Sequence, residues 1–350
     1  MPINRDHVDP EELTSQVRTA LADLEINSPT SLAEYLPSEM IDDIEYEADA
    51  GQGGLITAAD YRAYDAGLTI GRDEALAAVR GRIHSLGQTI PLFEEDRLRL
   101  RNDSEDALRR TIDRMASRAA KAVAIQVNVK RAEALATGKL KFEGNGQNFQ
   151  VDFGRRPDFT ATATDLFTDP SANPLATYEE LIETYVGEND FEPETVLTSK
   201  KVIRAFYRHP EVNRLALGPA YVAGSIAEKG QIDALLGRYG LPNFTPKGGR
   251  VKLRKNDGSE VVQNLLPDDS LIFLPGGGDP AVAGSSELGS TFWGTTLEAT
   301  KPNWGISEQA GIVAAVHDND DVPARMWVSA LAIAMPVLLN PNYSMAVKVV

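Results

Sequence analysis

Apolar residues fall at helical spacing over residues 8–25, where Val17, Leu21 and Leu24 follow an acidic first turn. That pattern predicts a short amphipathic helix. The next stretch, PTSLAEYLPSE, is bounded by prolines and reads as irregular. From Ile41 to Leu100 the chain turns extended. IEYEA reads as a strand, GQGGLITAADYRAYDAGLTIGR as a long arm rich in Gly and Ala, and AVRGRIHSLGQTIPLF as a second arm. Two arms with so few large apolar residues cannot build a core alone. They read as a projecting hairpin that takes its packing from elsewhere.

A long helix is predicted from Ser104 to Thr137, with Asp103 or Ser104 as its cap, Glu105 and Asp106 at the positive end of its dipole, and Gly138 as its stop. Its length would be about 50 Å. Leu108, Ile112, Met115, Ala119 and Val123 form one apolar stripe, and Arg110, Arg114, Arg118 and Lys121 lie opposite. Val123, Ile125, Val127 and Val129 alternate strictly, which taken alone would indicate a strand. Helix is the preferred reading. The segment LATGKLKFEGNGQNFQVDFG then turns into a hairpin. A two-residue Asn145-Gly146 turn sets Phe142 against Phe149, Leu140 against Val151, and Lys141 against Gln150. A three-residue turn would set Phe142 against Asn148, so the sequence selects the tighter one.

Residues 155–176 are polar, hold three prolines and read as a linker. YEELIETYV reads as a helix, and TVLTSKKVIRAFYRHPEVNRL as a short strand followed by a helix broken at Pro210. VKLRKNDGSEVVQNLLPDDSLIFLPGG contains a second hairpin and a buried-type strand, SLIFLP. The ending PVLLNPNYSMAVKVV reads as strand, turn, strand. Helices and hairpins without regular βαβ alternation indicate an α+β fold.

Charge adds an asymmetry to this picture. The 350 residues carry a net charge of −16, which argues against nucleic-acid binding over the whole surface. Residues 1–50 hold 13 acidic and 2 basic side chains, whereas residues 97–141 hold 12 basic and 5 acidic ones. The plainest reading is two solvated faces of opposite sign. Packing between segments or subunits, or a polar partner, is the alternative.

Candidate chemistry is sparse. The absence of cysteine excludes disulfides, thiol catalysis and cysteine-ligated zinc. His7, His84, His209 and His317 are scattered, with no HExxH spacing. Neither a P-loop, a GxGxxG nor a GxSxG motif occurs, and PGGGDP at residues 275–280 reads as a turn. HDNDD at 317–321 lacks the glycine and terminal glutamate of a calcium loop and reads as a solvated acidic turn. MWVSALAIAMPVLL, residues 326–339, contains Pro336 and is shorter than the ~18 residues of a membrane span. The first residues, MPINRDHVDPEEL, lack a basic region followed by an apolar one, so no secretory leader is expected. No catalytic constellation, metal site or cofactor site is expected.

The helix and hairpin ending in RAEALATGKLKFEGNGQNFQVDFG resemble those of the phage major capsid protein E family, the lambda-type shell proteins. LPSEMIDDIEYEADAGQGGLITAADYRAYDAGLTIGR, EEDRLRLRN, LLPDDSLIFLP and AMPVLLNPNYSMAVKVV resemble that family in the same order, over residues 30–350. The resemblance implies the Hong Kong 97-type capsid fold. It would comprise an N-terminal arm (1–49), an extended loop lying over a neighbour (50–95), and a peripheral domain (96–173) with a spine helix (104–137) and hairpin (139–153). An axial domain (174–325) and C-terminal strands closing the core (326–350) would follow. The implied function is the major capsid protein of a tailed double-stranded DNA phage, assembled in the host bacterial cytoplasm as pentamers and hexamers into the icosahedral head. An encapsulin-like nanocompartment shell of the same fold is the alternative.

The implied partners are the chain itself, a scaffold, a maturation protease, a portal, a cement protein, and loosely held DNA, with no membrane. Tyr61, Arg62, Asp65, Arg72, Arg80 and Arg82 of the extended loop would contact neighbouring subunits. The basic face of Arg110, Arg114, Arg118 and Lys121 would meet the acidic arm or, facing the lumen, the packaged DNA. The arm is preferred, because weak exposed pairs repeat many times around a shell. Some members of this fold lock the shell through a lysine on the extended loop joined to a neighbour's asparagine. Residues 51–95 hold no lysine, so no such crosslink is expected from this loop.

Overall fold

The computed structural model describes residues 3–5, 7–50, 77–100, 105–144, 147–254, 258–319 and 325–350. These residues form helices α1 (Pro10–Asn27), α2 (Glu94–Leu100), α3 (Glu105–Thr137), α4 (Pro174–Asn189), α5 (Lys200–Arg208), α6 (Pro210–Leu217) and α7 (Lys229–Arg238). The first strands are β1 (Ser38–Met40), β2 (Glu45–Ala50), β3 (Ala77–Arg82), β4 (Ser85–Leu92), β5 (Lys139–Gly144), β6 (Gln147–Asp152), β7 (Thr160–Thr162) and β8 (Thr195–Thr198). The others are β9 (Phe244–Pro246), β10 (Arg250–Arg254), β11 (Glu260–Asn264), β12 (Ser270–Leu274), β13 (Gly289–Gly294), β14 (Val313–Asn319), β15 (Arg325–Leu338) and β16 (Met345–Lys348). The described residues group into two compact units. One draws on segments 1–47, 80–134 and 277–338, the other on 48–79, 135–276 and 339–350.

The first unit is organised by β15. Residues 326–331 pair antiparallel with β14 on one edge and with β4 on the other, and residues 333–338 pair with β13, which pairs in turn with β1. Pro336 is tolerated in this central strand for a local reason. Its partner Thr291 sends its own N–H to Pro37 O, so this pair exchanges no ladder bond. Residue 336 also lies past the stretch that β4 and β14 cover. The apolar segment 326–339 is thus mostly a buried strand, and no described helix is long and apolar enough to cross a membrane.

Helix α1 starts at an Asp9 cap with Pro10 in its first turn and buries Leu13, Val17 and Leu21. Thr14 Oγ1 both donates to Ala314 O and accepts from Ala314 N at 3.1 Å, tying the helix to the edge of β14. The 33 residues of α3 settle the ambiguity in its second half. Val123 and Val127 are buried and Ile125 is exposed, a helical period, whereas a strand would place all three on one face. Ile112, Ala116, Ala119 and Ala120 are fully buried on the same side. Asn128 hooks the irregular 28–36 segment to this helix, donating to Thr30 O (2.8 Å) and accepting from Leu32 N (2.9 Å).

The second unit carries a sheet in the order β7-β16-β12-β8-β9, with β12 buried along its whole length. Val196, Phe244, Leu271, Phe273, Met345 and Val347 line the cluster that α4, α5, α6 and α7 cover with Tyr178, Tyr185, Phe206, Val212 and Leu235. Each such side chain contributes about 1.5–3 kcal/mol of burial. The expected hairpin is present as β5–β6. Phe142 opposes Phe149 with ring centroids 4.8 Å apart, and Leu140 opposes Val151. Asn145 and Gly146 themselves lie outside the described residues.

Three sequence expectations are corrected. The stretch 78–93 is not wholly a projecting arm, since residues 85–92 form β4, pair with β15 along their length and bury Leu92 in the first unit's core. Residues 155–176 are not a linker. Phe159 and Phe167 are buried, and β7 adds to the sheet parallel to β16. Prolines there prevent long regular elements but do not stop single aromatic anchors from burying. The acidic 317–321 stretch is not a solvated turn where it is described, since 317–319 end β14. Asp318, with a side chain only 15% exposed, receives both Arg97 Nη atoms at 3.0 and 3.1 Å.

Candidate assembly surfaces

No group of three or more metal-ligating side chains occurs among the described residues. His209, the most buried of the histidines, has a structural task. It caps α6 by accepting from Glu211 N through Nδ1, and its Nε2 lies 2.9 Å from Asp169 O.

Of the segment expected to form the extended loop, 50–95, residues 50 and 77–95 are described. Tyr61, Arg62, Asp65 and Arg72 lie outside the described residues. Arg80 and Arg82 stand on β3, which pairs with β2, and form exposed ion pairs with Glu47 and Glu45. Strand alternation turns the residues between them inward. Tyr46 is 4% exposed and stacks on Phe292 with centroids 5.3 Å apart, and burial pushes its hydroxyl pKa up. Gly81 lies against that ring, where a Cβ would sit 2.7 Å from Tyr46 Cζ. Ile83 is buried and donates to Ile44 O at 2.8 Å. An apolar anchor therefore fixes the ribbon's base, and the charges face outward.

On α3, Arg110, Arg114, Arg118 and Lys121 are all exposed. Arg110 and Arg114 donate to the carbonyls of Asp106 and Arg110 one turn back, and Arg114 also donates to Thr111 Oγ1. Three carboxylates of the N-terminal segment go elsewhere. Glu12 pairs with Arg109, Glu11 accepts from Ser307, and Glu25 pairs with Arg131.

The last of these is a buried clip that sequence reading missed. Arg131 has a side chain 2% exposed, and its Nη2 donates to Glu25 Oε1 (2.7 Å) and Ser38 Oγ (3.0 Å). Its Nε donates to Thr291 Oγ1 at 2.9 Å. Ser38 Oγ donates to Glu25 and accepts from Trp293 Nε1 (2.9 Å), and Thr291 Oγ1 donates to Leu36 O (2.9 Å). Four elements, α1, β1, β13 and α3, meet at one charge pair. Glu25 and Arg131 are 106 positions apart, so only an arginine on the apolar side of a helix could have signalled it.

A second buried arginine has no carboxylate partner among the described residues. Arg155 donates through Nη1 to Leu135 O (2.8 Å) and Ser344 Oγ (3.1 Å), and through Nε to Thr160 Oγ1 (3.0 Å). Burial pulls its pKa down to about 10. It remains charged at neutral pH and caps the carbonyl end of α3. Gly138, at φ +67°, leaves the room it occupies, since a Cβ there would lie 2.8 Å from Arg155 Nε.

Comparison with known proteins places this architecture. The sequence profile of the phage major capsid protein E family matches residues 50–349. No curated protein matches the chain by sequence. Among solved structures, a protein described as a prophage capsid protein from E. coli CFT073 superposes with a TM-score of 0.60 at 13% identity, over 96% of this chain and 99% of that one. A phage-related protein from Bordetella bronchiseptica RB50 superposes with a TM-score of 0.53 at 13% identity, over 99% and 97%.

Proposed function

The chain belongs to the phage major capsid protein E family, and we propose that it builds the icosahedral head of a tailed double-stranded DNA phage from pentamers and hexamers of itself. Its fold is the α+β fold of the Hong Kong 97 type. The observation that carries the reading is the family match over residues 50–349, and the same match decides for a phage head over a cellular compartment. In this reading the protein is structural, not an enzyme. It resides in the virion after assembly in the host cytoplasm, and scaffold, maturation protease, portal and cement protein act on or with it.

Residues 1–49 serve as the arm, and we draw the extended loop from 50 to 82, short of β4, which pairs with β15 in the first unit; Tyr61, Arg62, Asp65, Arg72, Arg80 and Arg82 meet neighbours. Residues 96–173 form the peripheral part around α3. We draw the axial part to end at residue 276, because residues 277–338 group with the segment that holds α1 and most of α3. The exposed face of Arg110, Arg114, Arg118 and Lys121 is assigned to packaged DNA. Within the chain, three of the described arm carboxylates, Glu11, Glu12 and Glu25, already have other partners. A modest basic surface holds DNA weakly enough for release.

Native particles treated with nuclease test the reading. Protected double-stranded DNA inside shells of this chain is expected, and shells that protect a protein cargo and no DNA would overturn it. Reversing all four charges should leave empty shells normal and reduce packaged DNA. Loss of shell formation instead would return the face to the arm of a neighbouring subunit.

A further inference from the structure

Helices α4 and α5 bury their inner faces in one apolar cluster, through Tyr178, Ile182 and Tyr185 on the first and Val202 and Phe206 on the second. Their outer faces carry opposite charge. Helix α5 exposes Lys200, Lys201, Arg204 and Arg208 and contains no carboxylate. Helix α4 contains no base and presents Glu179, which is half-buried, and Glu180 and Glu183, which are exposed. Nearby charges find partners at home, as Glu188 does with Arg156 and Glu211 with Arg214. Among the described residues these seven form no ion pair.

Local physics disfavours both arrangements. Lys200 and Lys201 occupy the first turn of α5, the positive end of its dipole, and Arg204 and Arg208 follow at four-residue spacing, where like charges repel. The acids of α4 avoid its first turn, where the dipole would favour them, and sit in its middle and last turns. A sequence that breaks the same local rule on two helices, with opposite sign, is compensated when the two faces meet across a boundary.

We propose that the basic face of α5 on one copy docks on the acidic face of α4 on the next copy, a contact that rests on the shell reading above. The two faces differ, so the contact is head-to-tail, and repetition of such a contact closes a ring when the rotation between copies divides a full turn. A ring of pentameric or hexameric order is what a capsomer requires. Exposed pairs of this kind are screened by salt, so the contact weakens at high ionic strength and stays adjustable during assembly.

A charge swap tests it. One variant carries Lys200→Glu, Lys201→Glu, Arg204→Glu and Arg208→Glu; a second carries Glu179→Lys, Glu180→Lys and Glu183→Lys; a third carries both sets. Light scattering and negative-stain microscopy give the protein concentration needed for shells, and circular dichroism checks the fold. Each single set is expected to raise that concentration by at least about tenfold, and the combined set to restore it to within about threefold. A folded combined variant as defective as either set alone overturns the proposal, as does a folded α4 set that assembles normally. Should a reversed set unfold, Gln replaces each charged residue. The neutral variants should then lose the salt dependence of assembly, and unchanged salt dependence overturns the proposal. The unmodified chain judges the shell reading separately, because it must form shells whichever faces meet.

Discussion

The base of the extended loop and the clip around Arg131 use the same pair of charges in opposite ways. At the ribbon, Arg80–Glu47 and Arg82–Glu45 have side chains at least 60% exposed, and the strands are held by Tyr46 on Phe292 beneath them. In the clip, Arg131 and Glu25 are 2% and 12% exposed, and hydroxyls of Ser38 and Thr291 complete the guanidinium's bonds. Ribbon charges can exchange partners at little cost, because both members of each pair stand in water. Charges in the clip cannot be separated without stranding one of them in the interior.

Breaking the clip is the strongest test of that contrast. Glu25→Ala or Arg131→Ala should each destabilise the unassembled subunit by about 3–5 kcal/mol in denaturant unfolding, because the remaining charge is left buried and unpaired. Replacing both with apolar residues of similar volume should cost much less. Tyr46→Ala comes next, at about 3 kcal/mol, since it removes the ring that anchors the ribbon. Arg80→Ala and Arg82→Ala should each cost under about 1 kcal/mol. An Arg80→Ala loss as large as that of Tyr46→Ala would erase the distinction between charge and anchor.

The smallest effect is a pH dependence at His84. Burial, and then the charge of Arg82, holds the His84 pKa below its ordinary value of 6.5. The unfolded chain therefore takes up this proton before the folded one does. This contribution to stability is complete above pH about 6.5 and is lost as pH falls toward the depressed value. Arg82→Ala should lessen that acid-side loss and leave the larger part that burial causes, read from unfolding midpoints across the window.

Short-range structure was legible in the chain and long-range chemistry was not. The Phe142–Phe149 register follows from turn length and alternation, both within a few residues. Burial of α3 follows from its 3.6-residue stripe once Ile125 is seen to point outward. Residues 155–176 were misread because composition reports average polarity, while Phe159 and Phe167 act singly. Asp318 was read as solvated because its partner Arg97 is 221 positions away, and the Arg131 clip was hidden for the same reason. Among the proposed contact residues, Arg80 and Arg82 are placed on an outward face, and Tyr61, Arg62, Asp65 and Arg72 lie outside the described residues.

The central claim is that this chain completes its packing by closing a shell of itself. Mass photometry of the purified, unmodified protein tests that most directly. The account predicts closed particles of megadalton mass that microscopy shows as hollow shells. A stable, monodisperse species of one to a few subunits under the same conditions would contradict it.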